Sequence, residues 1–500
     1  MTERDEVRAF VQNQLSLMKN RTENKITYPD NECKHKRAMW VRVKQTVSNF
    51  LDGLLNQNVL IMPGLRGVGK TTLLFQVIEH FYYRNEKFDE GHVLYLSCND
   101  LSAQGYDLAT ALRVYEANLL GKSVEKLRNE EKVLLLIDEA HYEEKWGEII
   151  KSYSDRSDNI FIIVTGSSSL SLETSTDLAR RRIEEKVFPL RFFEYILFKK
   201  HAKGRECIYP PGGLMSDIFT SCFEEFNAKE RIERMSSQIS RLRRTYFTKL
   251  DLLDKEIEDF LVKGGLPISI QESDDDALHQ SLLEVSTRVA QEDLGLLPGI
   301  GPKIQSHTPR ILKLIASEPN MATDSIAQYL SDISKTSVFN VLKGCEKAGL
   351  IYVVEPYGSA TKMTKKPNKY YFASPTLEAT QLWGLNKLNL DSDMMGYLLE
   401  TYIADILERR CKTNKTVQGV FYDYEKRNAD FIVQTRDGRK IAIEVGWGSK
   451  DGSQVLATLD RYDGEYGLVI SSEAEDHKVY NKSGKDYDVF FVPKEAMIIV

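Results

Sequence analysis

Apolar residues recur along this chain with two different periods, and the change of period marks its parts. Val59-Leu60-Ile61-Met62, Val133-Leu134-Leu135-Leu136-Ile137 and Ile160-Phe161-Ile162-Ile163-Val164 are unbroken apolar runs of strand length. Runs of this kind predict strands covered on both faces, as in a parallel sheet. Thr72-Leu73-Leu74-Phe75-Gln76-Val77-Ile78 instead has the spacing of an amphipathic helix. Lys229 to Lys249 spaces Ile232, Met235, Ile239, Leu242 and Tyr246 in a heptad-like way among many charges. That pattern predicts a long helix, either an exposed lid or an element in plain helical packing.

Further on, three helices precede two strands. Ile311 to Ala316 is the first helix, and Thr323 caps a short second one carrying Ile326, Ala327, Tyr329 and Leu330. The third runs from Lys335 to Ala348 with Val338, Val341, Leu342 and Cys345 on one face, and Gly349 stops it. Leu350 to Val354 and Lys369 to Phe372 then read as strands, with a Gly/Ser/Thr/Lys-rich stretch between them. Three helices and a two-stranded wing predict a winged helix. Past Pro375, a helix is expected from Met395 to Leu407 and a strand at Gly419–Tyr422. A hairpin of Ala429–Val433 with Lys440–Val445 follows, turning at Arg436-Asp437-Gly438, and then a strand at Tyr466–Ile470.

The chemistry concentrates where strand meets helix. Gly64-Leu65-Arg66-Gly67-Val68-Gly69-Lys70-Thr71-Thr72 fits G-x-x-x-x-G-K-[ST], with a strand before it and a helix after it. Gly64, Gly67 and Gly69 would let the backbone close around a phosphate. Lys70 would meet the β- and γ-phosphates, and Thr71, followed by Thr72, would ligate Mg²⁺. The second apolar strand ends in Asp138-Glu139-Ala140-His141. Asp138 would hold Mg²⁺, and Glu139 would polarise an attacking water, which favours hydrolysis over simple nucleotide binding. Thr165 and Ser167, at the end of the third strand, are placed either to sense the γ-phosphate or to make an ordinary turn. Arg180, Arg181 and Arg182 follow. One of them would stabilise transition-state charge, within the chain or across an interface, while the others make a solvated basic turn.

Charge adds a second theme. The whole chain carries a net charge of −6 over 500 residues. Gly301 to Ser374 holds ten Lys/Arg against five Asp/Glu, ten minus five giving a local +5. Lys335, Asn340, Lys343 and Lys347 on the third helix, with Lys362, Lys365, Lys366 and Lys369 on the wing, are candidate DNA contacts. The alternative is a winged helix used for packing, with solvated lysines. In the last segment Glu400, Asp430 and Glu444 form a possible second Mg²⁺ site of nuclease type. Such a site usually wants a lysine two residues after the last acid, where this chain has Gly446. Lys450, folded back, would fill the gap, with Gln454 lining the site; otherwise the site is silent.

The remaining composition excludes more than it adds. Hydrophobic residues make up 42% and charged residues 28%, ordinary for globular domains. The length calls for several domains. The charged start Met1-Thr2-Glu3-Arg4-Asp5-Glu6 is not a signal peptide, and no apolar run is long enough to span a bilayer, so a cytoplasmic protein without membrane contact is expected. The six cysteines have no C-x-x-C pairing, and Cys33 with His35 lacks a second ligand pair, so no zinc site is expected.

Taken together, these residues resemble the prokaryotic AAA+-type ATPases, bacterial and archaeal, whose C-terminal region looks like a restriction endonuclease. The resemblance covers most of the chain after about residue 40. It rests on the Gly64–Thr72 loop, Leu136 to His141, Val164-Thr165-Gly166-Ser167-Ser168 and Leu178-Ala179-Arg180-Arg181. Phe188-Pro189-Leu190-Arg191-Phe192-Phe193-Glu194-Tyr195, Gly264-Gly265-Leu266-Pro267, the winged helix, Ala429-Asp430-Phe431 and Ile443-Glu444-Val445 complete it. It implies an α/β fold: a P-loop NTPase with an AAA+-like parallel sheet, a helical lid, a winged helix and a C-terminal α/β nuclease-like domain. It also implies that Thr165 is the sensor-strand position and that Arg180 and Arg181 form the arginine turn. The expected domains are 1–40 (N-terminal helical segment), 41–200 (ATPase), 201–300 (lid or linker), 301–375 (winged helix) and 385–500 (nuclease-like).

The expected function is Mg²⁺-dependent ATP hydrolysis with ATP and Mg²⁺ as cofactors, acting on or with DNA. Two alternatives stand beside it. One is a nucleotide-gated switch or scaffold for a protein partner, with a silent nuclease fold. The other is an ATP-regulated, Mg²⁺-dependent DNA nuclease. No motif specifies an oligomeric state.

Overall fold

The computed structural model describes residues 3–500 apart from 28–32, 167–180, 208, 225, 249–253, 297–298, 320 and 414–415. Its contacts gather into two compact units. One comprises Met1–Phe188 with Lys347–Gly349, the other Pro189–Glu346 with Leu350–Val500. Segments 201–300, 301–375 and 385–500, expected as three domains, thus lie almost wholly within one unit.

The first unit is built on five parallel strands: β1 (Val59–Pro63), β2 (Val93–Ser97), β3 (Val133–Asp138), β4 (Ile160–Gly166) and β5 (Arg182–Glu184). Their order across the sheet is β2-β3-β4-β1-β5. Every residue of β1 to β4 is buried, which explains why these strands read as continuous apolar runs instead of alternating ones. The Glu3–Ile26 helix contributes Val7 and Val11 to the same core as Ile61, Leu96 and Leu135. The N-terminal segment is therefore part of this unit's core.

The second unit carries an eight-stranded sheet. In chain order its strands are β6 (Ile351–Pro356), β7 (Lys369–Phe372), β8 (Val417–Tyr422), β9 (Phe431–Thr435), β10 (Lys440–Val445), β11 (Tyr466–Ser471), β12 (Asp476–Lys482) and β13 (Lys485–Pro493). The spatial order is β12-β13-β11-β10-β9-β8-β6-β7. Helices Thr308–Ser317, Thr323–Leu330 and Lys335–Lys347 precede the β6–β7 antiparallel pair. The Gly/Ser/Thr/Lys-rich stretch between β6 and β7 contains the Ala360–Lys365 helix. β6 also runs parallel to β8, with Glu355 opposite Phe421 and Pro356 opposite Tyr422. Tyr357 packs edge-on against Phe421 and Tyr462. The pair expected as a two-stranded wing is continuous with the C-terminal sheet.

The heptad-like stripe is a packing surface. In the Ala228–Leu242 helix and its continuation Arg243–Phe247, Met235, Ile239, Leu242 and Tyr246 are all buried. The Phe188–Tyr195 and Gly264–Pro267 runs meet: Leu190 N–H donates to Gly265 O at 2.7 Å, and Gly265 N–H donates to Thr376 Oγ1 at 2.8 Å. Among the described residues, no helix is long and apolar enough to cross a membrane.

Candidate functional site

The carboxyl ends of β1, β3 and β4 bring the first group of candidate residues together. β1 runs into the glycine loop, and the loop into the Lys70–Ile78 helix. Gly67 (φ 86°) and Gly69 (φ 95°) take left-handed conformations that side chains resist, so the loop turns back sharply ahead of the helix N-terminus. There the first N–H groups have no partner within the helix, which makes the place suited to an anion. Lys70 is buried, and its Nζ donates to Gly64 O at 2.8 Å and Leu65 O at 3.1 Å, spanning the loop it would serve. Thr72 follows on the first turn of the helix, half-buried.

Asp138 is the hub of this site. It is 3% exposed and accepts hydrogen bonds from Thr71 Oγ1 at 2.7 Å, Tyr95 OH at 2.9 Å and Thr165 Oγ1. The sheet order explains the convergence. β4 lies between β1 and β3, with Met62 opposite Thr165 and Ile137 opposite Val164, so Thr165 stands between the glycine loop and the acidic pair. Glu139 follows with φ 51° and ψ 46°, a left-handed conformation that costs a non-glycine residue about 1–2 kcal/mol. Its N–H donates to Thr165 Oγ1 at 3.2 Å. One hydroxyl therefore touches both acids, through the Asp138 carboxylate and the Glu139 backbone.

Three further residues enter this site: Tyr95 and Arg37 from outside the motifs, and His141 from the end of the Leu136–His141 run. Tyr95 sits in β2, and burial together with the Asp138 carboxylate pushes its phenol far up, so it stays a donor. His141 is buried, and burial, then Lys70 and Arg66, pull its pKa down to about 3, leaving a neutral imidazole. Arg37 is buried and donates through Nη1 to Val68 O at 2.9 Å and Phe188 O at 2.7 Å, bracing the loop from outside. Of Tyr95 and Arg37, only Tyr95 had a legible local signal, an aromatic in the apolar run Val93-Leu94-Tyr95-Leu96.

Arg181 does not join this group. Arg180 and Ser167 lie outside the described residues. Arg181 pairs with Asp155 at 2.8 Å, and its carbonyl accepts from Val59 N–H at the amino end of β1. Val59 and Pro63 are four residues apart, which at strand rise is about 13 Å. Arg181 is thus at the far end of the sheet from its own chain's phosphate loop, which speaks against the within-chain alternative for this arginine.

A second group lies in the C-terminal sheet. Glu400 is on the Ser392–Thr413 helix, Asp430 immediately precedes β9, and Glu444 is in β10. Their carboxylates do not gather within 4.8 Å of one another. Lys369 takes up Glu400 instead, in a close ion pair, and Tyr371 OH donates to the same oxygen at 2.5 Å. Lys369 is 9% exposed, so its assignment as a DNA-contacting wing lysine is corrected: its charge is spent inside. Asp430 Oδ2 accepts from Val445 N–H at 2.7 Å, and burial, then Glu400, lift the Asp430 carboxyl to about 8. Burial lifts neighbouring Glu378 to about 8 as well.

Gly446 is covered by Lys450. A Cβ built at Gly446 would meet Lys450 Cε at 2.3 Å and Cγ at 2.8 Å, so the lysine stem fills the space of a residue-446 side chain. Its ammonium reaches Glu444 Oε1 at 3.5 Å, while Glu444 Oε2 is buried with no hydrogen-bond partner. Trp447 in the same loop lies under Lys494 Nζ, 3.7 Å from the ring centre. Gln454 is in the Ser453–Tyr462 helix.

Four of the remaining candidate lysines are exposed on the second unit, and Lys347 is half-buried. Lys343, Lys365 and Lys366 are exposed, and Lys366 Nζ lies 4.6 Å from the Tyr424 ring centre. Lys335 is exposed and paired with Asp324 at 2.7 Å. The side chain of Lys362 lies outside the described residues.

Comparison with known proteins gives the following. The AAA domain family AAA_14 matches residues 56–196, the stretch that holds the glycine loop, the acidic pair and Thr165. The uncharacterized protein MJ1637 of Methanocaldococcus jannaschii is 30% identical over 440 residues, 88% of this chain and 85% of the relative. MJ1544 of the same organism is 23% identical over 399 residues, 76% of this chain and 73% of the relative. Among solved structures, the Walker-type ATPase PABY2304 of Pyrococcus abyssi is similar over 71% of this chain and 97% of its own, at 16% identity and a TM-score of 0.41. An overlap that loose transfers nothing to this chain.

Proposed function

We propose that this chain, which belongs to the same family as MJ1637 of M. jannaschii and carries an AAA-type P-loop domain, is a Mg²⁺-dependent ATPase whose turnover is coupled to duplex DNA. The observation that carries the first half is the hydroxyl-linked chain Thr71–Asp138–Thr165–Glu139 beside the glycine loop.

In this reading the helix N-terminus and Lys70 bind the phosphates. Lys70 would exchange its loop carbonyls for β- and γ-phosphate oxygens. The Thr71 hydroxyl and the Asp138 carboxylate, 2.7 Å apart, are a hard oxygen pair suited to Mg²⁺, which when bound neutralises charge on the phosphates. Glu139, held by Thr165, orients a water and takes its proton as the water oxygen bonds to the γ-phosphorus. The bond from that phosphorus to the bridging oxygen breaks, and ADP leaves with the electron pair. Tyr95 keeps Asp138 oriented.

The DNA half is supported by the three helices followed by the β6–β7 pair, read as a winged helix, and by the exposed Lys343, Lys365 and Lys366. Contacts of this kind are to phosphate and carry little sequence preference. Steady-state ATP hydrolysis with and without duplex DNA at low salt tests the coupling. Stimulation is expected. Turnover indifferent to DNA would refute the coupling and favour a nucleotide-gated protein switch.

One observation favours a second reading, Mg²⁺-dependent phosphodiester cleavage by a nuclease-like C-terminal sheet. Lys450 stands over Gly446 and reaches Glu444, whose other oxygen is unpartnered. Asp430 and Glu444 would then hold the ion. Mg²⁺-dependent nicking lost in both Asp430→Asn and Glu444→Gln is the test, and a wild-type protein that never nicks removes the reading.

A further inference from the structure

We propose that Arg66, in the phosphate loop itself, is the arginine that stabilises transition-state charge on the γ-phosphoryl group, and that the Tyr142 hydroxyl holds its guanidinium in position. This deepens the ATPase reading and rests on it.

Arg66 and Lys70 are the two charged residues of the Gly64–Thr72 loop, and their surroundings divide them. Lys70 is buried, with its ammonium turned onto Gly64 O and Leu65 O. Arg66 is half-buried, and its Nη2 donates to Tyr142 OH at 3.2 Å. Tyr142 ends the short turn Ala140–Tyr142 that follows Glu139, and its N–H donates to Glu139 O at 3.1 Å. The His141 ring packs against the Tyr142 ring at 4.6 Å between centres and steadies the phenol. Burial, then Lys70 and Arg66, keep that imidazole neutral, so His141 brings no competing positive charge. One arginine thus spans from the glycine loop, which would hold the phosphates, to the turn headed by Glu139, which would hold the water. Attack in line puts the γ-phosphorus between those two elements, so a guanidinium that bridges them lies beside the group in transfer. Arg181 lies at the other end of the same sheet.

The two cations differ in what they can do. A lysine ammonium is a compact point charge, whereas a guanidinium is a planar fork whose parallel N–H groups match phosphate oxygens. In phosphoryl transfer, charge spreads over the equatorial oxygens of the moving group. A fork aimed at those oxygens binds the transition state better than the ground state, which is what raises turnover. The Tyr142 hydroxyl takes one N–H of the fork and fixes its plane. Arg66 stays protonated throughout and makes or breaks no covalent bond; the proton of the attacking water still goes to Glu139.

Two measurements on the full-length protein with Mg²⁺ test it. One is steady-state ATP hydrolysis, with and without duplex DNA. The other is binding of fluorescent ADP, alone and with aluminium fluoride, a planar mimic of the phosphoryl group in transfer. Arg66→Ala should lower kcat by about a hundredfold to a thousandfold. It should also remove the gain in affinity that aluminium fluoride brings, while ADP alone binds within about threefold of wild type. Arg66→Lys, which keeps the charge without the fork, should recover part of the loss. Tyr142→Phe should lower kcat by about threefold to tenfold and leave ADP affinity unchanged. Wild-type kcat and aluminium fluoride binding in Arg66→Ala overturn the proposal. So does a loss of ADP affinity as large as the loss of kcat, because the arginine then serves the ground state or the shape of the loop. Wild-type kcat in Tyr142→Phe overturns the positioning role. Mixing Arg66→Ala with Lys70→Ala, which keeps Arg66 but should bind no nucleotide, should restore nothing; recovery would put the arginine across an interface and overturn its assignment within the chain. A wild-type protein that hydrolyses no ATP in either condition refutes the ATPase reading and this inference together, whereas normal turnover in Arg66→Ala leaves that reading standing.

Discussion

Replacing Thr165 by valine isolates the hydroxyl on which both acids depend. Valine keeps the shape of this fully buried side chain and removes only its oxygen. Two hydrogen bonds then vanish: the one to Asp138 and the one accepted from Glu139 N–H. The Glu139 amide loses its partner while Glu139 is held at φ 51°, a conformation that already costs energy. An unmade bond to a part-buried donor costs about 1–3 kcal/mol. If that energy appears as misplacement of Glu139 in the transition state, kcat for ATP hydrolysis falls by about tenfold to a hundredfold, at about 1.4 kcal/mol for each factor of ten. Nucleotide affinity should hardly move, because Lys70 and the loop lie outside the two lost bonds. The assay pairs steady-state phosphate release with equilibrium titration of a fluorescent ATP analogue. A Thr165→Val protein with wild-type kcat refutes the assigned linkage. One that loses nucleotide affinity as much as kcat shows that the hydroxyl supports the loop instead of Glu139.

Other residues give independent checks. Lys70→Ala should lose nucleotide binding, whereas Glu139→Gln should bind ATP and turn over slowly; normal turnover by Glu139→Gln refutes its role with water. The joint Lys343→Glu, Lys365→Glu and Lys366→Glu change should weaken duplex binding and flatten its dependence on log salt by about 2–3, measured by anisotropy at several salt concentrations, and an unchanged slope rejects these contacts. Arg231 is 1% exposed, donates to Ser221 O and Glu224 O at 2.8 Å each and lies 4.0 Å from the Tyr466 ring centre, so Arg231→Ala should cost about 3–5 kcal/mol in urea unfolding. A loss below about 1 kcal/mol would show the site collapsing without penalty. His141 titrates at about 3 when folded against an ordinary 6.5, so the unfolded chain binds the extra proton between those values. Its stabilising contribution is complete above pH 6.5 and falls with pH, reaching a loss of about 1–2 kcal/mol at pH 5, and His141→Gln should remove that share of the acid sensitivity.

The phosphate site was legible because its signals are local. Gly64 to Thr72 must turn, expose amides and start a helix within nine residues, and Asp138-Glu139 must end a buried strand. Each requirement is met by neighbours in the chain, so residue order alone expresses it. The helices before β6 and the β9–β10 hairpin were legible for the same reason, through apolar period and turn chemistry. β12 was not, since it mixes half-buried and exposed positions at a sheet edge with hardly an apolar run to mark it, whereas β13 carries a legible run, Val489-Phe490-Phe491-Val492, not named among the expected strands.

What residue order could not decide was which end of an element a side chain serves. Arg181 follows the third apolar strand closely in sequence, yet the chain has by then returned to the amino end of the parallel sheet, far from the loop. Lys369 belongs by position to a basic segment, yet one strand of burial converts it from a surface charge to the counter-ion of Glu400. Lys450 fills the space over Gly446 only because its loop folds back, and Arg37 braces Val68 across 31 residues. Sequence determined the phosphate loop, the acidic pair and the apolar strands that carry them, because backbone conformation and burial pattern are short-range properties. Tertiary structure alone decided which charges meet, because an ion pair depends on distance in space and on exclusion of water, and neither is written in the spacing of residues along the chain.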